Sequence, residues 1–238
     1  MYTKNFINLE ETRISLKTDL KNNNLENYVL SIRNDLKNYI KSNNLFLNSL
    51  KPVNINSNAP PIIKLMEDSS RIANVGPMAS VAGSIAELSC DYLINLGSIC
   101  SIVENGGDIA LINNKKVICG IYSGNNKLKT NIGFKLKPRK KQIGICTSSG
   151  KIGHSLSFGE SESVTVLSNK ASYSDSLATA IANEVTGNSY EESLNNALNF
   201  AEEFREYFQG VLIINGDFVG KIGKLPEIIS TKSFDIDF

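Results

Sequence analysis

The stretch "YSDSLATA", residues 173–180, pairs a carboxylate, Asp175, with a hydroxyl, Thr179, four residues later. On a helix, residues four apart lie on the same face. Oxygen donors of this kind suit a hard cation such as Mg²⁺, which keeps water molecules that a phosphate can replace. Alternatively, Asp175 caps the N-terminus of the helix. Both residues are therefore candidate metal ligands, and the capping interpretation stays open.

The single histidine of the chain, His154, lies in the serine- and glycine-rich stretch "CTSSGKIGHSLSFGESES", residues 146–163. Backbone N–H groups of such a loop can form a nest for an anion, and an imidazole transfers protons near neutral pH. A solvated histidine in a polar loop is the alternative interpretation. The candidate ligand-binding residues of this stretch are Ser148, Ser149, Gly150, Ser155 and Ser157.

Small residues dominate the stretch "VGPMASVAGSIAE", residues 75–87. If a helix begins near Pro77, its free N–H groups and positive dipole end favour an anion, and small side chains allow a phosphate to come close. Tight packing of the helix against a sheet is the alternative. The candidate ligand-binding residues here are Gly76, Met78, Ser80 and Gly83.

A turn is predicted within "VENGGDIAL", residues 103–111, because two adjacent glycines supply the positive φ values that a hairpin needs. Glu104 and Asp108 bracket this turn. Crowded carboxylates are costly unless a cation, a sugar hydroxyl or an amide lies between them. The stretch is therefore either a plain hairpin or a binding turn, with candidates Glu104, Asn105, Gly106, Gly107 and Asp108.

The charges of the chain nearly balance, with 25 Lys and Arg against 24 Asp and Glu. We therefore expect no general attraction to nucleic acid or to an anionic membrane. One basic run, "KLKPRKK" at residues 135–141, is either a solvated hairpin end or a rim that attracts phosphate.

The N-terminus, the length of the apolar runs and the cysteine spacing favour a cytoplasmic protein. The N-terminus has no basic segment followed by an apolar core, and no apolar run approaches the roughly 18–20 residues of a membrane helix. The four cysteines show no zinc-type spacing.

The order of helical and strand-like periods predicts an α+β fold, with a mostly antiparallel sheet flanked by helices. Helices are predicted over 25–42, 62–74, 78–97, 173–185 and 190–208. Strands are predicted over 12–18, 98–104, 108–113, 116–122, 128–136, 142–148 and 163–168. Hairpin turns are expected at 113–114 and 215–216. We expect one domain over 1–238, with a loosely held tail from about residue 229.

The four stretches, taken in this order, resemble the ApbE-like superfamily, and more closely its uncharacterised-protein branch. The resemblance runs from about Arg13 to about Gly223. It implies an ApbE-like layered fold. Characterised members of the superfamily are FAD:protein FMN transferases, which use Mg²⁺ to split FAD and attach FMN to a threonine of a partner flavoprotein.

The resemblance implies that Asp175 and Thr179 bind Mg²⁺ and that the Gly106–Asp108 turn lies on the flavin-nucleotide side of the site. It places His154 in a loop that wraps a phosphate or sugar. The chain departs from the transferases in two places. Ala82-Gly83-Ser84 stands where they have a lysine motif, and "HSLSFGES" stands where they have an Asp-Pro…Thr-Gly segment.

Three functions follow as expectations, and the first is binding of a flavin-derived nucleotide with Mg²⁺, with transfer of part of it. His154 is the catalytic candidate. The second comes from the association of this branch with sulfur assimilation and homocysteine formation. In this function Cys146 would carry a persulfide, and N–H donors would stabilise its thiolate. The third is a non-catalytic nucleotide-binding module. Expected partners are a small nucleotide-like ligand, a protein acceptor or sulfur-pathway protein, and a second copy of the chain.

Overall fold

The computed structural model describes residues 2–121, 131–149 and 163–231. Four of the candidate site residues, Gly150, His154, Ser155 and Ser157, lie outside the described residues.

An eight-stranded sheet, with every neighbouring pair antiparallel, forms the centre of the fold. Its strands in spatial order are β1 (Thr3–Leu9), β2 (Thr12–Thr18), β3 (Ser101–Asn105), β4 (Asp108–Asn113), β7 (Arg139–Ser148), β8 (Ser163–Ser168), β9 (Gly210–Asn215) and β10 (Phe218–Gly223). A second, three-stranded antiparallel sheet has the order β11 (Glu227–Thr231), β6 (Asn131–Leu136) and β5 (Val117–Ile121).

Six α-helices are described: α1 (Leu25–Ser42), α2 (Asn44–Asn48), α3 (Pro61–Ala73), α4 (Val81–Asn95), α5 (Ala171–Asn183) and α6 (Tyr190–Glu202). A single 3₁₀ turn, Pro77–Ser80, precedes α4. The sequence predicts a helix from residue 78, and the regular α-helix starts one turn later, at Val81. Gly97, with φ +93°, follows its end and serves as the predicted stop.

Alternation along the strands divides the core into two sides of the large sheet, because successive side chains point to opposite faces. On β4, Ala110 and Ile112 pack with α1, α3 and α4, whereas Leu111 packs with residues of the small sheet such as Phe134. The molecule therefore has three layers: helices, large sheet, small sheet. The predicted α+β fold with a mostly antiparallel sheet flanked by helices is confirmed.

The hairpin expected at Asn113-Asn114 is wrong. β4 pairs with β3 and β7, and β5 pairs with β6 of the other sheet, so the chain crosses between sheets at this point. The Asn113 side-chain amide donates to the carbonyls of Lys115 and Lys137 and fixes the crossing. By contrast, β9 and β10 form the hairpin predicted around Asn215 and Gly216.

Three elements, β1, α2 and β11, have no predicted counterpart. The expected loose tail is wrong for its first residues, since Ser230 and Thr231 end β11 and pair with Ile132 and Asn131. Residues 232–238 lie outside the described part of the chain. Among the described residues, no helix is both long and apolar enough to cross a bilayer.

Candidate functional site

Segments that are far apart in the sequence meet at one edge of the large sheet. Because neighbouring strands alternate in direction, the β3–β4 turn, the end of β7, the start of β8 and the β9–β10 turn all lie at this edge. We call it the site edge and define it by Asn105–Asp108, Ser148, Ser163 and Asn215. The helix layer brings α5 and the first turn of α4 against it.

Asp108 and Cys146 lie side by side on the helix-facing side of the sheet, since the pairing of Ile109 with Ile145 places them opposite each other on β4 and β7. Both are buried. Burial raises the pKa of Asp108 to about 7, although hydrogen bonds from the Cys146 thiol and the Thr147 N–H oppose the rise. Burial therefore favours the neutral form of this carboxyl group more than in an exposed aspartate.

Asp175 lies one turn into α5 and does not cap that helix, whose N-cap is Lys170. Its Oδ2 instead accepts a hydrogen bond of 2.8 Å from the backbone N–H of Gly83, at the start of α4. The alternative that Asp175 caps its own helix is therefore wrong, because the carboxylate caps a neighbouring one. Burial, followed by repulsion from Asp108, raises the pKa of Asp175 well above its usual range.

Thr179 follows Asp175 by one turn of α5 and is buried. The expected carboxylate–hydroxyl pair therefore occurs on a regular helix, and Asp108 on the sheet adds a second carboxylate that interacts with Asp175. Within the described ranges, no group of three or more His, Cys, Asp or Glu side chains is placed to hold a metal ion. The candidate donor set is two carboxylates and one hydroxyl.

The β3–β4 turn is the predicted hairpin. Asn105 pairs with Asp108, and Gly106 and Gly107 take φ values of +64° and +101°. The Gly107 N–H donates to Glu104 Oε1 at 2.8 Å, and the Asn105 amide donates to the Ala82 carbonyl at 3.1 Å. The turn is thus tied to the first turn of α4.

Glu104 and Asp108 bracket the turn as expected, and the charge of Glu104 raises the pKa of Asp108, but the two side chains project to opposite faces of the sheet. Asn105 and Asp108 share the helix-facing side, so Glu104, one residue earlier, projects to the opposite side together with Ile109. Burial raises the pKa of Glu104, and its hydrogen bond from Gly107 opposes this. Asp175, not Glu104, is the carboxylate that shares the helix-facing side with Asp108.

The small residues before α4 pack against protein, which corrects the expectation that they admit a phosphate. A Cβ at Gly76 would collide with the Ser49 carbonyl, and one at Gly83 would lie 2.5 Å from the Ala171 carbonyl oxygen. The Ser80 hydroxyl accepts a hydrogen bond from Ser69 at 2.7 Å. Met78 packs against the core below α4.

Three polar atoms at the site edge are buried and have no hydrogen-bond partner among the described residues: Ser148 Oγ, Ser163 Oγ and Asn215 Oδ1. Such atoms usually bind water or a ligand. Two described cavities lie elsewhere, one of about 190 Å³ beside Arg33 and one of about 540 Å³ between α3 and α4. Neither includes Asp108 or Asp175.

Cys146 does not have the stabilised thiolate that the sequence predicted. Its side chain is fully buried, and its one S–H lies within reach of two acceptors, the Asp108 carboxyl group and the Ala171 carbonyl oxygen, which is 3.2 Å from Sγ. Burial, and then the negative charges of Asp108 and Asp175, raise the pKa of the thiol well above its usual range. The cause is the position of Cys146 within β7, where its side chain packs in the core.

The basic run lies at the far end of β7 from the site edge. Arg139 begins this strand and Ser148 ends it, a separation of about 30 Å along an extended chain. Lys137, Lys140 and Lys141 are exposed. The exposure agrees with the solvated interpretation, and the distance from the site edge gives no support to a phosphate-attracting rim. The run links two sheets and is not a hairpin.

Sequence reasoning missed Glu87, a buried acid on α4. Its Oε2 accepts hydrogen bonds from both the backbone N–H and the hydroxyl of Ser172, at 2.9 and 2.7 Å. It also missed Gly144, where a Cβ would collide with Ala171 at the start of α5. A charged residue on the buried stripe of a predicted helix was the available signal for Glu87.

The family described as AbpE bacteria matches residues 6–214. A UPF0280 protein of Methanobrevibacter smithii is 56 % identical over 231 residues and covers 97 % of both chains. A UPF0280 protein of Methanothermobacter thermautotrophicus is 48 % identical over 93 % of this chain and 86 % of its own length.

Two solved structures have the same fold. A mutant of the flavin transferase ApbE from Vibrio cholerae gives a TM-score of 0.60 at 15 % identity, with 93 % of this chain and 97 % of that chain covered. The apo form of the flavinyl transferase ApbE from Pseudomonas stutzeri gives 0.61 at 14 % identity, with 98 % and 95 % covered. The chain therefore belongs to the AbpE bacteria family, in a branch of the ApbE-like proteins that it shares with these UPF0280 proteins.

Proposed function

We propose that the site edge binds Mg²⁺ together with a flavin nucleotide, and that the protein transfers the flavin nucleotide to an acceptor hydroxyl. The observation that carries the proposal is the proximity of two carboxylates, the buried Asp108 and the half-buried Asp175, since the charge of Asp108 raises the pKa of Asp175. Support also comes from the fold, because the two solved structures that share it are named flavin transferase and flavinyl transferase.

The donor set fits a hard cation. Asp108 is buried and Asp175 is half-buried, the pKa of each is raised, and in the described part of the chain no lysine or arginine lowers either pKa. Mg²⁺ prefers oxygen ligands and binds through one or two carboxylates together with substrate phosphates. Asp108, Asp175 and Thr179 are therefore the residues that would hold the ion.

The protein's own groups would bind and orient the nucleotide. The Gly83 N–H donates to Oδ2 of Asp175 and fixes that oxygen. Oδ1 is then the oxygen of this carboxylate that would bind the ion. The unpartnered oxygens of Ser148 and Asn215 would bind polar parts of the ligand. Mg²⁺ would neutralise phosphate charge.

In the transfer, the acceptor oxygen would form a bond to the FMN phosphorus while the bond to AMP breaks. The proton of the acceptor hydroxyl would pass to a base. His154 remains our predicted base on the sequence argument alone, since it lies outside the described residues.

The test is titration of the purified protein with FAD, FMN and ADP, with and without Mg²⁺. We expect FAD to bind at micromolar concentration only when Mg²⁺ is present, and Asp175→Asn to weaken this binding at least tenfold, about 1.4 kcal/mol. Glu191→Gln, on the exposed first turn of α6, is the matched control and should bind like the unchanged protein. The proposal fails if no nucleotide binds more tightly than about 1 mM.

A second experiment separates transfer from binding alone. The protein is incubated for a long time with FAD and a threonine-containing acceptor, and chromatography measures the AMP that is released. Tight binding without AMP would make the protein a nucleotide-binding module. The sulfur-pathway alternative rests on the resemblance, and the buried Cys146 thiol gives it no support.

A further inference from the structure

The N-terminus of α5 has no capping side chain of its own. Its N-cap residue, Lys170, has an extended backbone and makes no side-chain cap. The backbone N–H of Ser172 donates instead to Oε2 of Glu87 on α4, at 2.9 Å. The Ser172 hydroxyl donates to the same oxygen at 2.7 Å. Only 5 % of Glu87 is exposed, although the residue borders the cavity between α3 and α4.

The capping between the two helices is reciprocal. Asp175 of α5 accepts from the N–H of Gly83 at the start of α4, just as Glu87 of α4 accepts from Ser172 at the start of α5. The two positive helix ends converge, and a carboxylate from the opposite helix offsets each of them. The two contacts lie one turn apart on each helix, and their order along α4 is the reverse of their order along α5.

The first turn of α5 has little room to shift. A Cβ at Gly83 would lie 2.7 Å from the Cβ of Asp175, and a Cβ at Gly144 would collide with Ala171. The turn is therefore held between α4 on one side and β7 on the other. A change at the Glu87–Ser172 contact would move Asp175 relative to Gly83, because the residues belong to one rigid helix.

We propose that Glu87 is a positioning residue, which fixes the register of α5 on α4 and so determines the place of Asp175 and Thr179. The carboxylate acts through α5 and is not itself a metal ligand. The consequence for Mg²⁺ binding rests on the proposed function, whereas the consequence for the Gly83–Asp175 contact does not.

The test compares Glu87→Leu, which removes the acceptor, with Glu87→Gln, whose amide oxygen can still accept from Ser172. Amide hydrogen exchange at Gly83 reports directly on the Asp175 contact. In Glu87→Leu we expect this exchange to accelerate about tenfold and the dissociation constant for Mg²⁺ to rise about tenfold. In Glu87→Gln both should stay within about twofold of the unchanged protein.

Ser101→Ala is the matched control, because Ser101 is also buried and hydrogen-bonded, to Thr18 at 2.7 Å, but lies at the opposite end of β3 from the site edge. It should lower stability without accelerating exchange at Gly83. If Glu87→Leu does not fold, Ser172→Ala decides the matter, since it removes one of the two hydrogen bonds and should accelerate exchange about threefold.

The inference is overturned if exchange at Gly83 is unchanged in Glu87→Leu, or, where that variant does not fold, in Ser172→Ala. It is equally overturned if Glu87→Gln does not restore the unchanged rate, or if Ser101→Ala has the same effect. Absence of Mg²⁺ binding to the unchanged protein would instead overturn the proposed function and leave the exchange result to decide the role of Glu87.

Discussion

Asp108 is a buried acid and Asp175 a half-buried one, and the charge on Asp108 raises the pKa of Asp175. A buried carboxylate keeps its charge only where hydrogen bonds or a cation replace the lost hydration. The N–H groups of Gly83 and Thr147 supply part of that replacement. A hard cation would supply the rest, which is why this pair, and not the glycine-rich stretches, is the chemically informative feature of the site edge.

The same acids make Cys146 a poor nucleophile, and burial makes the other cysteines equally unreactive. All four are buried, and the pKa of Cys119 is raised to about 12. We expect a thiol reagent at pH 8 to label no cysteine in the folded protein and all four after denaturation, because only an accessible thiolate reacts. Labelling of Cys146 in the folded protein, detected by mass analysis of peptides, would contradict this and revive the persulfide hypothesis.

Gly83 tests whether close packing decides the residue type at the start of α4. In an exposed helix, replacing glycine by alanine stabilises by about 1 kcal/mol. Here the added Cβ would meet the Ala171 carbonyl oxygen at 2.5 Å, so we expect Gly83→Ala to destabilise by about 1–3 kcal/mol in urea unfolding.

Gly220→Ala is the control for this prediction, since its added Cβ would meet a methyl group of Leu194, which can move. We expect a cost below about 1 kcal/mol there. Equal costs at Gly83 and Gly220 would show that backbone contact does not distinguish the two positions.

Local periodicity predicted most elements but not how they pair. The helices over 25–42 and 62–74 follow from apolar spacing, and the Gly106-Gly107 turn follows from its positive φ values. The pairing of β4 with β7 could not be predicted in this way, because strand pairing depends on contacts distant in sequence. The hydrogen bonds from Ser172 to Glu87 and from Gly83 to Asp175 join residues more than 80 positions apart, so no spacing rule could find them.

The β3–β4 turn allows a test of which glycine its backbone geometry requires. Gly106 has φ +64°, which asparagine adopts readily, whereas Gly107 has φ +101°, which strains any other residue. We expect Gly106→Asn to cost less than about 0.5 kcal/mol and Gly107→Asn to cost about 1–3 kcal/mol. Chemical unfolding measures both, and a similar cost at the two positions would contradict the turn geometry.

The three layers of the molecule have different roles. The helix layer and the large sheet bring the candidate site together, whereas the small sheet covers the other face and contributes no described site residue. Phe134 of β6 is fully buried between the two sheets, beside Leu111, Ile143 and Ile145 of the large one. The small sheet should therefore contribute to stability without contributing to ligand binding.

Phe134→Ala tests this division. Loss of a buried aromatic side chain costs about 3–5 kcal/mol, so the midpoint of urea unfolding should fall markedly. Ile118→Ala is the control, because Ile118 lies on β5 but is 54 % exposed, and its loss should cost less than about 1 kcal/mol. At temperatures where Phe134→Ala remains folded, we expect its affinity for Mg²⁺ and FAD to match that of the unchanged protein. A selective loss of affinity in that folded variant would show that the small sheet shapes the site, since the layers would then not be independent.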